Sequence, residues 1–196
     1  MANIVKDTAT MNWTARFSKI NKYDSKRVDK FGFNESTSMF LKTIGLPEEA
    51  APFLSFAKDN DEQYEGLLKL TDYFDFLESE FDRYIVIGST GNGDEIVIDL
   101  NDNCKIKVLD HEDNFSEEFA NSSIEKFAKG LILYQDFIDL ILNENGEDAL
   151  IDSKFSDNQI NYLKQKMIDN DQDSINSDCF WSQEIEMLII NRDENK

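Results

Sequence analysis

The stretch from Tyr84 to Phe127 constrains the fold most, because three strand patterns in it lead directly into a helix. In the first strand, apolar residues occupy both faces, with Ile85 and Ile87 on one and Tyr84 and Val86 on the other. Strands covered on both faces have apolar residues throughout rather than at alternate positions. This strand is therefore predicted to lie at the centre of a sheet.

Two further strands are predicted directly after it. They are indicated by the alternation of Ile96, Ile98 and Leu100, and then of Ile106 and Val108. The third strand is expected to present Lys105 and Lys107 to water, as lysines near sheet edges commonly are. Such a strand packs only one face on the core.

Three glycines, Gly88, Gly91 and Gly93, lie in the connection between the first two strands. Residues without a Cβ allow the chain to turn sharply, so a hairpin is predicted. A phosphate-binding loop is the alternative, but it requires a helix after the last glycine. Here Gly93 is followed by Asp94, Glu95 and a strand, and two carboxylates would repel a phosphate.

Helices are predicted on both sides of these strands. Ser36 is predicted to cap a helix that Gly45 ends, before Pro47 prevents its continuation. Downstream, Ser122 is predicted to cap a long amphipathic helix, with Glu125 completing the cap.

The connecting segments complete the prediction. Residues 53–57 and 67–71 are predicted as short strands, and residues 112–118 as an acidic loop. Two closing helices are predicted to begin at Ser156 or Asp157 and near Phe180.

These elements predict one α+β domain, with a mainly antiparallel sheet of about five strands covered by helices from both chain ends. The 196 residues, 40% of them hydrophobic, suffice for one sizeable core. We expect residues 1–35 to form a helical or irregular N-terminal segment, residues 36–190 the domain, and residues 191–196 a frayed tail.

The charge balance excludes one class of function and favours another. Asp and Glu number 40 against 20 Lys and Arg, which gives a formal net charge of −20. Direct binding of nucleic acid is not expected, because phosphate neutralisation requires a basic surface. A basic protein partner would be attracted, although a strongly negative surface also serves solubility alone.

The sequence indicates a cytoplasmic protein that does not contact membranes. Residues 1–7 do not have the pattern of a secretory signal, and no apolar stretch approaches the ~20 residues of a membrane span. Cys104 and Cys179 are too few and too far apart in sequence for a disulfide framework, so free thiols in a reducing compartment are expected.

Candidate reaction centres and ion sites are weak. His111 is the only histidine, and Cys104 on the same predicted strand would point to the opposite face. The acidic runs that begin at Asp99 and Asp169 imitate a calcium loop but lack its turn glycine and its closing glutamate. We therefore predict no catalytic residue, no metal and no cofactor.

Several short motifs together resemble a known family. They are Gly45-Leu46-Pro47, Phe53-Leu54-Ser55-Phe56, Ile87-Gly88-Ser89, Leu109-Asp110-His111-Glu112, and Asn121-Ser122-Ser123 with Phe127. In order and spacing they resemble the SUKH superfamily, more particularly its fourth subfamily, over about residues 36–142, with a weaker match at Trp181. On this resemblance Gly88, Asn121 and Ser122 are fold-determining positions rather than a site.

The resemblance implies a non-enzymatic function. Proteins similar to this are mostly bacterial immunity proteins of polymorphic toxin systems, which bind and neutralise a cognate toxin, often a nuclease or nucleic-acid deaminase. The same superfamily contains a fungal regulator of cell-wall synthesis, so the fold alone does not fix the role. A regulatory scaffold or adaptor of the same fold is the second hypothesis, and a small-molecule binder or hydrolase with a sheet-edge pocket is the third.

The acidic residues around the predicted hairpins are the candidate partner-binding set. We expect an acidic edge facing a basic toxin surface, formed by Asp94, Glu95, Asp110, Glu112, Asp113, Glu117 and Glu118. The sequence leaves the oligomeric state open.

Overall fold

A computed structural model describes residues 13–60 and 65–194. The helices are α1 (Trp13–Arg16), α2 (Ser25–Val28), α3 (Glu35–Thr43), α4 (Leu70–Tyr73), α5 (Ile124–Asn145), α6 (Asp157–Asn170) and α7 (Phe180–Glu194). The strands are β1 (Ile20–Asn21), β2 (Leu46–Pro47), β3 (Glu49–Ala50), β4 (Leu54–Phe56), β5 (Leu68–Lys69), β6 (Tyr84–Ser89), β7 (Glu95–Asp99), β8 (Lys105–Asp110) and β9 (Ser116–Asn121). Short 3-10 helices span Ser79–Arg83 and Gln172–Ile175. The described residues do not include 1–12, 61–64 and 195–196. The expectations for the first residues and the last residues of the chain therefore fall outside them.

The main sheet is antiparallel throughout its paired strands. Its order is β3-β4-β6-β7-β8-β9, with β5 pairing β6 in addition, and β1 and β2 form a separate pair. The α+β class is confirmed, but the described residues contain seven strands in this sheet rather than about five. The strand β3 has only two residues, which is too short to give an alternating pattern. The strand β9 was predicted as part of an acidic loop because its first half is polar.

The strand β6 is central and covered on both faces, as predicted. Ile85 and Ile87 belong to the main core, whereas Tyr84 and Val86 belong to a second, smaller apolar cluster. Close to the end of this strand, a Cβ on Gly88 would lie 2.4 Å from the Ser55 carbonyl oxygen. Glycine is therefore required here by the close approach of β4 rather than by a positive φ.

Exposure of Lys107 was predicted wrongly. Lys107 is 8% exposed, because β9 pairs with β8 and places Glu117 on the same face. Lys105 nearer the start of β8 is only partly buried and pairs with Asp102. The predicted third strand is thus an interior strand with β9 outside it.

The long helix α5 lies across the sheet and carries much of the main core. Phe127, Leu131 and Ile141 on its inner face are fully buried. Its N-cap is Ser123, whose hydroxyl accepts from the Lys126 amide, so the predicted cap at Ser122 was wrong by one residue. Farther along, Gly130 lets the Trp181 ring of α7 pack closely, since a Cβ there would lie 3.0 Å from a ring carbon.

The other helix boundaries follow recognisable capping rules. Asn34 rather than Ser36 caps α3, and Gly45 follows it with φ 83°, as predicted for the end of that helix. Ser156, one of the two predicted starting positions, caps α6, and a complete capping box forms there. Residues 67–71 contain β5 and then the start of α4, so only the first part of that predicted strand forms.

The ends of the described chain pack on the same protein body. Trp13 and Phe17 are buried in the main core, and α7 continues to Glu194. The division at residue 36 and the frayed tail from residue 191 remain predictions. In residues 13–60 and 65–194, no helix combines the length and apolar character needed to cross a membrane.

Candidate functional site

Two hairpin turns meet at one end of the sheet. The β6–β7 turn closes through a hydrogen bond from the Thr90 amide to the Asp94 carbonyl, and Gly93 in it has φ 93°. The Asp94 carboxylate contacts His111 Nδ1 at 2.8 Å and accepts from the His111 amide at 3.3 Å. This contact ties the first turn to the turn between β8 and β9.

Four of the seven predicted binding residues lie in or directly beside these two turns. The acidic tip is defined as Asp94, Asp110, Glu112 and Asp113, together with His111. Asp110 Oδ1 accepts from the Glu112 and Asp113 amides at 2.8 and 3.2 Å, so backbone hydrogen bonds hold the second turn. Both Glu112 and Asp113 are exposed.

An exposed aromatic side chain lies beside the acidic tip. Phe53 is 88% exposed and has φ 58°, a backbone conformation that is uncommon for a residue with a side chain. Its Cβ lies 3.0 Å from the position of a Cβ at Gly91, in the same turn as Asp94. Aromatic side chains, phenylalanine among them, are enriched in the cores of protein–protein interfaces.

His111 is held by the acidic tip rather than by a nucleophile. Its hydrogen bond with Asp94 raises its pKa, and the nearby Glu112 and Asp110 add to this effect. Within the described part of the chain, no hydrogen bond joins His111 to a serine or a cysteine. One ligand atom from each of Asp94, Asp110 and His111 lies within 4.8 Å of the others, a spacing that a cation would tolerate.

The two calcium-like runs are used otherwise in the fold. Asp99 is fully buried and accepts from Lys107, while Asn103 and Cys104 turn the chain with φ 54° and 60°. The second run supplies Asp171 to a buried network between α5 and α6. Both cysteines are buried free thiols.

Glu117 and Glu118 do not share a surface with each other. Successive strand residues point to opposite faces, and Glu118 accepts from Gln183 of α7 at 2.9 Å on the helix-covered face. Glu117 lies on the other face, where Lys107, Arg83 and Tyr84 all donate to it. The seven acids therefore do not form one continuous edge.

The ion network around Glu117 is partly buried. Lys107 Nζ contacts Asp99 Oδ2 at 2.8 Å, and Arg83 contacts the same oxygen at 3.2 Å. Burial opposes the charged form of Glu117, but hydrogen bonds from Lys107 and Tyr84 outweigh it and hold its pKa below the usual range. Glu117 thus balances buried cations of the fold.

Glu95 occupies a different environment from the rest of the predicted set. It is 8% exposed and lines a cleft of about 330 Å³ between β4, β6, β7 and α4. Burial raises the pKa of Glu95 to about 7; Asp94 adds to the shift, whereas His111 opposes it. The wall of the cleft includes Tyr73 and Phe74.

The raised pKa predicts the sign of a stability change with pH. The folded state retains the Glu95 proton up to about pH 7, whereas the ordinary value is 4.5. The stability that the protonated Glu95 carboxyl contributes is fully present below pH 4.5 and is lost as the pH rises through 7. Glu95→Gln is therefore expected to raise the free energy of unfolding at pH 8 by about 2 kcal/mol and to change it little at pH 4.5.

Urea unfolding of the wild type and this variant at both pH values checks the expectation. Glu112→Gln removes the same formal charge from an exposed position and serves as the control. An equal gain at pH 8 in both variants would mean that overall charge, not burial of Glu95, governs the effect.

A second polar cluster, missed by sequence reasoning, lies where β9 meets α5. Asp171 is 4% exposed and accepts from the Ser122 amide at 2.7 Å, from Asn121 at 3.1 Å and from Lys126 at 3.1 Å. Asn121 in turn accepts from Trp181 Nε1 at 2.8 Å. Burial opposes ionisation of Asp171, but these hydrogen bonds lower its pKa. The motif residues Asn121 and Ser122 thus connect three parts of the fold.

Comparison with known protein families identifies the family of this chain. The family model described as "SUKH-4 immunity protein" matches residues 15–187. The chain belongs to the SUKH-4 immunity protein family. The resemblance noted from the sequence is therefore confirmed, and the match begins upstream of residue 36. Neither curated proteins nor solved structures give a match.

Membership of this family indicates a role in toxin immunity. For a SUKH-4 protein, the surfaces of interest are those that contact another protein. Glu112, Asp113 and Phe53 are exposed, whereas the Asp171 cluster lies inside the fold.

Proposed function

We propose that this protein neutralises a cognate toxin by stoichiometric binding, with the acidic tip and Phe53 facing a basic surface of the toxin. The single observation that supports this placement is the exposed Phe53 ring beside four clustered carboxylates. Acidic groups attract a basic surface during encounter, and a desolvated aromatic anchor slows dissociation. No bond is made or broken in this mechanism.

The proposed target class is a nucleic-acid-targeting toxin, such as a nuclease or a deaminase. These enzymes need a basic cleft to hold phosphates, and such a cleft complements a protein of net charge −20. Occupation of that cleft by the acidic tip would exclude the substrate. Of the other predicted acids, Glu118 adds to the local negative potential in this proposal. Glu117 is instead neutralised by Arg83 and Lys107, and Glu95 lines the cleft described above.

The direct test is co-expression with a toxin encoded beside this protein. Survival of the cells and co-purification of the two chains at a one-to-one ratio are the expected results. A toxin that remains lethal at equal amounts of purified protein would contradict the proposal, and so would turnover of a substrate by this protein alone. A scaffold or adaptor would give neither protection nor a one-to-one complex.

Reversal of charge at the acidic tip is expected to slow association. Glu112→Lys with Asp113→Lys should lower the association rate constant about tenfold at low salt, because exposed acids steer the encounter. The difference should shrink as the salt concentration rises and the Debye length falls. Stopped-flow or surface binding kinetics with the toxin measure both effects.

A matched double variant separates local from overall charge. Glu147→Lys with Asp148→Lys changes the net charge by the same amount at an exposed loop after α5. It should change the rate constant by less than about twofold, as expected for charges distant from the contact. Equal slowing by the two double variants would remove the acidic tip from the binding surface.

A further inference from the structure

The cleft beside Glu95 has the size and lining of a site for a single side chain. Its volume of about 330 Å³ is at the lower limit for small-molecule pockets. Val86 and Gly88 of β6 line it on the sheet side, and Phe56, Tyr73 and Phe74 supply aromatic rings. The Tyr73 and Phe74 rings lie 6.4 Å apart with planes tilted by 40°.

The carboxylate of Glu95 has no partner in this cleft. Although 92% of its surface is covered, it makes no hydrogen bond or ion pair with any residue in the described ranges 13–60 and 65–194. Burial disfavours the charged form of such a carboxylate, and His111 offsets only part of this effect. Lys58 at the rim contacts Glu65 at 3.1 Å.

We propose that this cleft receives one arginine or lysine side chain of the protein partner, with the Glu95 carboxylate as its counter-ion. The inference rests on the proposed function, which supplies a basic partner. The aromatic side chains of Tyr73 and Phe74 can contact the cation or its aliphatic stem. Glu95 directly follows Asp94, so the cleft and the acidic tip are contiguous and one partner can cover both.

The chemistry of the cleft selects against other occupants. An anion would be repelled by the Glu95 carboxylate, and an apolar side chain would leave that carboxylate unpaired. A cation instead replaces the proton that burial otherwise favours, since the pKa of Glu95 is raised to about 7. The pairing is therefore strongest above neutral pH.

The test uses a small probe and needs no toxin, so its outcome is independent of whether the proposed function holds. Nα-acetyl-arginine methylamide is titrated into the isotope-labelled protein at pH 8, and backbone amide shifts are followed by NMR. The citrulline analogue, which has the same shape but no charge, is the matched control ligand. Glu95→Gln is the test variant of the protein, and Glu147→Gln, at an exposed position in the loop after α5, is its matched control.

The expected result is saturable shifts at the amides of Tyr73, Phe74, Gly88 and Glu95. Glu95→Gln and the citrulline analogue should each weaken binding at these amides about tenfold, as loss of one charged hydrogen bond implies. Glu147→Gln should leave binding unchanged. Absence of saturable shifts in the cleft, or equal binding of the arginine and citrulline probes, would overturn the inference. Shifts confined to the acidic tip would also overturn it.

Discussion

Asp171→Ala is expected to lower the free energy of unfolding by about 3 kcal/mol, one of the two largest effects that we predict. The carboxylate holds the Ser122 amide, the Asn121 side chain and the Lys126 ammonium group. Its loss leaves buried donors without an acceptor, and the Trp181 indole loses a fixed partner at Asn121. Urea unfolding followed by tryptophan fluorescence measures the change.

Asp169→Ala is the matched control for this variant. Asp169 lies two residues earlier at the end of α6, is exposed and accepts only from Gln165 among the described residues. Its removal should change stability by less than about 0.5 kcal/mol. If the two alanine variants unfold at the same urea concentration, the Asp171 network does not stabilise the fold as argued.

Lys107→Met is expected to destabilise the protein by about 3 kcal/mol, because it removes one partner of a buried ion pair. Asp99 is fully buried, and Arg83 at 3.2 Å is its remaining cation. Methionine keeps most of the volume of lysine, so the loss reports charge rather than packing. Thermal and urea unfolding at neutral pH provide the measurement.

Lys105→Met is the control on the same strand and the same face. Lys105 is partly buried and pairs with Asp102 near the surface, so its loss should cost less than about 1 kcal/mol. The double variant Asp99→Asn with Lys107→Met should lose less stability than the two single variants together, because neither charge is left alone. Strict additivity, or equal losses for the two lysines, would contradict the buried pair.

The contrast between these lysines shows what the sequence can predict about a sheet. Alternation in β8 correctly places Lys105 and Lys107 on one face, because a strand has a period of two residues. It does not reveal what covers that face. The covering strand β9 begins with Ser116, Glu117 and Glu118, whose polarity is typical of a loop when its ionic partners are unknown.

Local signals predicted other parts of the fold well. The apolar run in β6, the glycine after α3 and the serine before α6 each act within a few residues, so they can be recognised in the sequence. Asp171 depends on Asn121 and Ser122, which lie about 50 residues away in the chain, and no local pattern indicates such a contact. Its isolated position in an acidic run suggested only a calcium loop.

The candidate site was predicted to a similar extent. Seven acids were predicted to form one edge, and the fold brings Asp94, Asp110, Glu112 and Asp113 together because two hairpin turns lie side by side at one end of the sheet. Glu95 differs from Asp94 because it is the first residue of β7 and points into the cleft lining, not into the turn. Phe53 was placed in a strand, whereas its left-handed backbone turns it into solvent.

The contact between Asp94 and His111 has a consequence for how such a protein can change its target. This contact joins the two hairpin turns at the surface, whereas the main apolar core lies between the sheet and the helices. Exposed residues of these turns, such as Glu112 and Asp113, can be substituted with little effect on the packing of the core. On the proposed binding surface, substitutions at the turns would therefore change the contacts with a toxin at little cost in stability.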